Sequence, residues 1–552
     1  MVDVNILIAD NDTDALMIYS EYLQSAGYHV LTAASVDTAR EILNTHRIHL
    51  AILDLRLTDD SESDRSGLLL AREVARSIPK LILTKWPTYR DAREALKLDE
   101  EDLPPAIDFL NKRDGLGVLG EAVKQAVLKY VRINRELVIQ SNEVHPISIL
   151  NLIDLISPGL TVDVMQTRAE ELDELFRRFF YEKSEIKIDR LLWQRDGRVA
   201  LAVFTFVEGN VPESLVVVCG LKEKMKEEER RYKEFSPPAP GHNSTVLSHR
   251  AMTSRFAAHG YALAGADLGD AVSLEERYRT APDRVVASTI TTLFEKTLSA
   301  WHQQKRVPVE DKTQAQLYGL MLGLPEVDDM RQALEGSIEA ITRRLPSLGA
   351  EMHRRDGKLT INFAGQTFSY PDPAFHLGRL YEDNRDAVAM KTPGILLGSN
   401  ILTDPSGHTW LTEFSGAGLA PALWNYVSVE SIVRFDWVEA TRLEWLHDME
   451  LLFIGPEFSK LYATAAEAPL RKTVRTVHSI RRLAARFVAR EHQSYHLGVF
   501  FHAVRRLIDH RPALQLTSNE LTRQAHLLLA AGMTLDRLAL NQNFPAAKKT
   551  GQ

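Results

Sequence analysis

The chain carries one cysteine, Cys219, in 552 residues. That excludes an intrachain disulfide and any cysteine-rich zinc site, and it suits a reducing compartment. A dominant charge of either sign is also missing. With 66 Lys and Arg against 74 Asp and Glu, the net charge is −8, too mild at this length to draw the whole molecule to nucleic acid or a membrane surface. No run reaches the roughly 18 apolar residues of a membrane span, and the opening MVDVNILIADND has no basic segment leading into a long apolar core. The absences together imply a soluble, cytoplasmic protein. What is present is ordinary globular material, 45% hydrophobic and 25% charged, long enough for two or three domains.

From residue 4, short apolar runs alternate with helical patterns: VNILIA, DALMIYSEYLQSAG, YHVLTA, a helix ending near Arg47, then HLAILDL. That rhythm predicts β-α-β units, and LILT and AIDFL complete five strands of a doubly wound parallel sheet. Sheets of this kind place their chemistry beyond the carboxyl ends of the strands. Asp10, Asn11 and Asp12 follow the first strand, Asp54 the third, Thr84 the fourth and Lys112 the fifth. A carboxylate nucleophile beside a cation site and an ammonium suits phosphoryl transfer, because the incoming phosphate brings negative charge that must be offset. Singly, loop aspartates more often cap helices or face water; the ordered set is the signal.

These residues resemble the receiver domain of two-component response regulators over residues 1–130. The resemblance implies Asp54 as phosphoacceptor, and a magnesium site made by Asp10, Asn11, Asp54 and the backbone carbonyl of Arg56. It further implies Thr84 as switch hydroxyl, Phe109 as switch aromatic and Lys112 as phosphate-binding lysine. A cognate histidine kinase is the implied partner. Two residues depart from the family pattern: Asn11 replaces a carboxylate that binds the metal, and Arg113 replaces the proline after the lysine. After Asp54, LTDDSESDRSG makes a long acidic loop whose plainest reading is solvated surface.

Beyond the fifth strand, Leu116, Leu119, Val123, Ala126, Tyr130, Ile133 and Leu137 repeat at alternating spacings of three and four. That stripe predicts either the last receiver helix alone or an extended helix through 116–160 that pairs two copies in a homodimer.

In the second half, LDELFRRFFYEK reads as an amphipathic helix, RLLWQRDGRVALAVFTFVEG as a hairpin broken at DG, and SLVVVCGLKEKMKEEERRYKEF as a strand running into a charged helix. Downstream, NILTDPSGHTWLTEF is strand, turn and strand. Asn400 and Glu413 flank this second hairpin, so two oxygen ligands face one site, although an ordinary hairpin with solvated ends has the same pattern.

The order of these elements resembles the aminoglycoside and choline phosphotransferase branch of the kinase-like fold, more narrowly its ternary-complex-associated members. The resemblance implies an α+β two-lobed domain: small lobe, hinge and first large-lobe helices over 165–310, an unmatched insertion over 311–385, and the large lobe over 386–540. It also implies which groups are lost. Cys219 stands where the family has its strand lysine, with Lys222 three residues on, and Glu229 falls at the helix glutamate. The catalytic loop reads Pro393, Gly394, Ile395 and Asn400, so Ile395 replaces the base, while Glu413 before Phe414 replaces the metal-binding aspartate. Asp404, in the turn, is a poor substitute base. Without the base and the lysine, phosphotransfer from ATP is not expected and no catalytic residue is assigned.

The carboxyl-terminal pattern is helical to about Leu540, with a tail at 541–552 that reads as disordered. Basic residues between Arg471 and Arg490, Arg481 and Arg482 among them, would carry a DNA-binding reading, but no helix-turn-helix spacing accompanies them. His492 and His496 have the spacing of a metal pair without a third ligand. The sequence therefore predicts a response regulator whose phosphorylation controls a pseudokinase-like domain acting on a downstream protein. An atypical phosphotransferase is the alternative, a DNA-binding regulator the second, and neither nucleic acid nor membrane is an expected partner.

Overall fold

The computed structural model describes residues 4–59, 61–75, 77–98, 103–207, 212–237, 245–264, 268–381, 386–439, 442–488, 492–509 and 517–540. They form two compact units, residues 1–226 with 247–262, and 227–246 with 263–552.

The first unit begins with β1 (Asn5–Ala9), α1 (Thr13–Ser25), β2 (His29–Ala33), α2 (Val36–Thr45), β3 (Leu50–Asp54), α3 (Ser66–Glu73), β4 (Lys80–Thr84), α4 (Tyr89–Ala95), β5 (Asp108–Asn111) and α5 (Leu116–Tyr130). The five strands are all parallel, in the order β2-β1-β3-β4-β5. β3 and β4 are buried at every residue, as strands covered on both faces must be. Alternation sends Leu7, Ala51, Leu53 and Ile82 into one core layer and Ile6, Leu50, Ile52, Leu81 and Leu83 into the other.

The extended helix does not form. α5 ends at Tyr130, and its stripe residues Leu119, Val123 and Ala126 are buried in the core against the parallel sheet, so they present no face to a second copy. Tertiary contacts override the heptad pattern. Asn134 Nδ2 donates to the carbonyls of Tyr181 and Lys183, and Arg177 Nη1 donates to those of Arg135 and Leu137. The chain thus straightens into β6 (Val138–Ser141), helped by the β-branched residues of VRINRELVIQ.

After α6 (Ile149–Ile156) and α7 (Val162–Phe179) come β7 (Glu185–Arg195) and β8 (Arg198–Phe206), joined at Asp196 and Gly197, both with positive φ, as a two-residue hairpin turn requires. β9 (Glu213–Leu221) runs directly into α8 (Lys222–Phe235), and β10 (Thr245–Met252) and β11 (Phe256–Leu263) follow. The sheet order is β10-β11-β9-β8-β7-β6.

The second unit is mixed α/β with three three-stranded sheets. The unmatched insertion has regular structure over its described residues, 311–381. Helices Gln314–Leu322 and Val327–Arg344 precede an antiparallel sheet of Glu351–Arg355, Lys358–Phe363 and Gln366–Pro371. Helices Arg471–Val488, His492–Asp509 and Ser518–Leu540 complete it. They enclose an ion network in which Arg481 donates to Glu430 at 2.9 and 2.7 Å, Arg434 pairs with Glu430 and Glu450, and Tyr495 Oη donates to Glu430 at 2.7 Å. Arg481 is therefore a core residue and not a phosphate contact. Exposed Arg475 and Arg486 are paired with Asp283 and Glu295. His496 is buried with its pKa pushed well down by desolvation and nearby arginines. The tail at 541–552 lies outside the described residues. Among those described, no helix is long and apolar enough to cross a membrane.

Candidate functional site

Three strand ends of the parallel sheet bring Asp10, Asp54 and Lys112 together. Lys112 Nζ lies 2.6 Å from Asp54 Oδ2 and 2.6 Å from Asp10 Oδ2, and all three side chains are nearly closed to solvent. Asp54 closes β3 in the middle of the sheet, so burial raises its pKa, to about 6, against the pull of Lys112. Burial opposes the charge on Lys112, but the carboxylates of Asp54 and Asp10 outweigh it and its pKa is raised. The chain turns away from Asp54 tightly: Arg56 N donates to Asp54 Oδ1 at 3.4 Å. At Gly67 a Cβ would sit 1.7 Å from the Asp54 carbonyl oxygen, so only glycine fits beside the acceptor.

Thr84 is buried at the end of β4, where its hydroxyl accepts from Trp86 N at 3.2 Å. Phe109 is half-buried on β5 against the core. Arg113 lies over the Trp86 ring, 4.9 Å from its centroid. Asn11 stands half-buried in the β1–α1 loop. Asp12 N-caps α1 through Asp14 N and Ala15 N, and it pairs with Lys85 Nζ at 3.0 Å, which lowers its pKa. The ammonium of Lys85, directly after Thr84, had no signal in the strand pattern.

Asp10, Asn11, Asp54 and the Arg56 carbonyl, the set implied for magnesium, would offer only oxygen donors, which suit a hard divalent cation that would neutralise phosphoryl oxygens there. The set holds two carboxylates, and among the described residues no three His, Cys, Asp or Glu side chains group as a metal site.

A second cluster lies in the second unit. Strands Ile401–Thr403 and Thr409–Leu411 pair across the DPSG turn, which Asp404 holds by accepting from His408 N at 2.8 Å. The hairpin brings Asn400 and Glu413 together as the pattern predicted: Asn400 Nδ2 donates to Glu413 Oε2 at 3.0 Å and to Ile395 O at 2.9 Å, and Leu397 N donates to Asn400 Oδ1 at 2.8 Å. Ser415 Oγ donates to the other Glu413 oxygen at 3.0 Å. The helix glutamate that meets this segment is Glu228, fully buried, whose Oε1 accepts from Phe414 N at 3.3 Å. Glu229, one residue on, pairs with Lys233 of its own helix. One residue turns the side chain by about 100° around the helix, and both glutamates are buried.

Cys219 belongs to the first unit, near the carboxyl end of β9, where full burial pushes its thiol up to about 12. Lys222 Nζ donates to Ser77 Oγ at 2.8 Å.

Residues 6–123 match the family model described as the response regulator receiver domain. Among curated proteins, none matches the chain. Among solved structures, a CheY-like response regulator receiver domain protein from Methanospirillum hungatei JF-1 is similar at 22% identity, over 23% of this chain and 97% of its own, with a TM-score of 0.21. The aminoglycoside phosphotransferase APH(4)-Ia is similar at 10% identity, over 68% of this chain and 99% of its own, at 0.33. A choline kinase from Streptococcus pneumoniae is similar at 9% identity, over 61% and 89%, at 0.22.

Proposed function

We propose that this chain, whose residues 6–123 are a response-regulator receiver domain, accepts a phosphoryl group on Asp54 and uses it to change how its second unit binds a downstream protein. The observation that carries the reading is the buried triad of Asp10, Asp54 and Lys112, joined at 2.6 Å. Asp54 forms the new oxygen–phosphorus bond as the donor's bond to phosphorus breaks, and the Lys112 ammonium takes up charge on the transferred oxygens. The donor is a histidine kinase or a small acyl phosphate. Thr84, at the end of the neighbouring strand, supplies the hydroxyl that turns from the Trp86 amide toward the phosphoryl group, and Phe109 follows it.

The region 165–540 is read as a kinase-like domain without transferase activity. Three things support this: Ile395 in the place of a base, the thiol of Cys219 in the place of a strand lysine, and an Asn400 amide whose nitrogen faces Glu413, where a shared metal would need oxygen. The meeting of Asn400 and Glu413 also motivates the alternative of an atypical phosphotransferase.

One experiment separates the two. The full chain is incubated with acetyl phosphate and magnesium, and separately with MgATP, and followed by intact mass and melting temperature. A single phosphoryl group from acetyl phosphate, absent in Asp54→Asn, together with no MgATP stabilisation at millimolar nucleotide, is the expected result, since a ligand that binds only the folded state raises its melting temperature. Transfer from ATP that is lost in Glu413→Ala would establish the alternative.

A further inference from the structure

The strands that deliver the phosphoacceptor site at their carboxyl ends carry a second buried polar cluster at their amino ends. Asn5 opens β1, which leads to Asp10; His49 immediately precedes β3, which ends in Asp54; Ser77 lies just before β4, which ends in Thr84. Along β1 and β3 five residue steps separate the two clusters, roughly 17 Å, and along β4 the path from Ser77 to Thr84 is longer.

At the centre of the second cluster is Glu174 of α7, its side chain 2% exposed. Asn5 N donates to His49 Nδ1 at 2.7 Å, so His49 is protonated on Nε2 and donates from there to Glu174 Oε2 at 2.9 Å. The guanidinium of Arg47 reaches the same oxygen, and Arg178 reaches the other at 2.6 Å. One turn earlier, buried Glu171 accepts from Arg255 N at 2.7 Å and Nη1 at 2.9 Å, while Arg255 Nη2 donates to Thr45 O at 2.7 Å. The Lys222–Ser77 bond adds a further link. Residues 45–77 of the receiver are thereby fastened to α7, to the β10–β11 turn and to the start of α8, all within the first unit. A contact of convenience is made of exposed pairs worth little. A carboxylate this deeply buried persists only while all its partners stay in place. Phosphoryl chemistry at Asp54 has no use for any of these groups.

We propose that docking at the amino ends of β1, β3 and β4 is thermodynamically linked to phosphorylation at their carboxyl ends, with Glu174 as the coupling carboxylate. The proposal rests on Asp54 being the phosphoacceptor. Linkage is reciprocal: if phosphorylation changes the docking equilibrium by some factor, loosening the docking changes the affinity of the acceptor site by the same factor.

The test uses the full chain and beryllofluoride with magnesium as the phosphoryl probe. Hydrogen exchange in wild type is expected to change over residues 171–178 and 252–255 on saturation. The half-saturating beryllofluoride concentration is expected to shift at least threefold in Glu174→Gln, and in the same direction but less in Lys222→Ala, which removes a peripheral bond and keeps the buried carboxylate. Unchanged exchange in wild type that does bind the probe overturns the linkage alone, as does an unchanged half-saturation in both variants. Failure of wild type to bind beryllofluoride overturns the linkage together with the phosphoacceptor reading.

Discussion

Two oxygen-rich clusters stand at strand ends in this chain, and they differ in what lies between the oxygens. At Asp54 and Asp10 it is an ammonium, Lys112 Nζ, bonded to both. At Glu413 it is an amide N–H of Asn400, whose remaining amide hydrogen and oxygen are bonded to the backbone at Ile395 and Leu397. Under the proposed function, a cation between two carboxylates sits where a phosphoryl group's charge would develop, so it would favour transfer without reorganisation. The amide hydrogens of Asn400 are both used, one on the carboxylate and one on the backbone, so the pair is held together without a cation. Oxygen-rich clusters at strand ends thus close around an ammonium in one case and around an amide in the other.

The comparison breaks first at Asp54 itself. Asp54→Asn is expected to abolish both phosphoryl uptake and beryllofluoride binding, while Glu413→Gln leaves both intact; intact mass and calorimetric titration read them. Equal losses in the two variants would mean that the clusters act as one. Removing the ammonium in Lys112→Ala is expected to slow phosphorylation on the order of 100-fold, the usual penalty for deleting one group aimed at developing charge. Stopped acetyl phosphate time courses measure it, and a rate within twofold of wild type would remove Lys112 from the mechanism. A smaller effect is expected from restoring the missing carboxylate. Asn11→Asp should tighten magnesium by roughly tenfold, a modest step on the decades that ligand charge spans. If affinity is unchanged in a calorimetric titration, Asn11 lies outside the metal set.

The receiver was legible because its signals are local and periodic: five apolar runs of strand length, buried on both faces, with one chemical group at each carboxyl end. The turn at Asp196 and Gly197 and the hairpin around DPSG were legible for the same reason, since a few residues determine each. What failed was anything decided by distant partners. The stripe through Leu137 obeys the heptad pattern, yet Asn134 and Arg177 bind the chain to the end of α7 and make Val138–Ser141 a strand. Arg481 looks like a surface base in a basic run, but Glu430, a full 51 residues earlier, buries it. The three-stranded sheet of 351–371 has alternating strands that went unread because no family pattern marked the region. At the second cluster the pair Asn400 and Glu413 was visible across a short turn, whereas the bond from Phe414 N to Glu228 joins residues 186 positions apart.

The docking cluster allows a last, smaller test, because it titrates where the phosphoacceptor's neighbours need not be invoked. Burial lowers the pKa of His49 below its ordinary 6.5, against Glu174, which raises it, and with Arg47 and Arg178, which lower it further. A histidine kept neutral when folded binds its proton more readily when unfolded, so its contribution is fully present above about pH 6.5 and falls as pH drops below that value. Glu174 acts in the same sense lower down. Its pKa is held far below the ordinary 4.5 because His49 and the two arginines overcome the effect of burial, so its share is lost only as pH falls below about 4.5. Between pH 6.5 and 5, then, His49 alone in this cluster should cost stability, by at most about 1.4 kcal/mol per pH unit. Denaturant melts of the full chain against His49→Asn isolate it: the difference between them should shrink as pH falls through this window. A difference independent of pH would mean that His49 is already charged in the folded protein, and the cluster would then hold Glu174 by three cations instead of two.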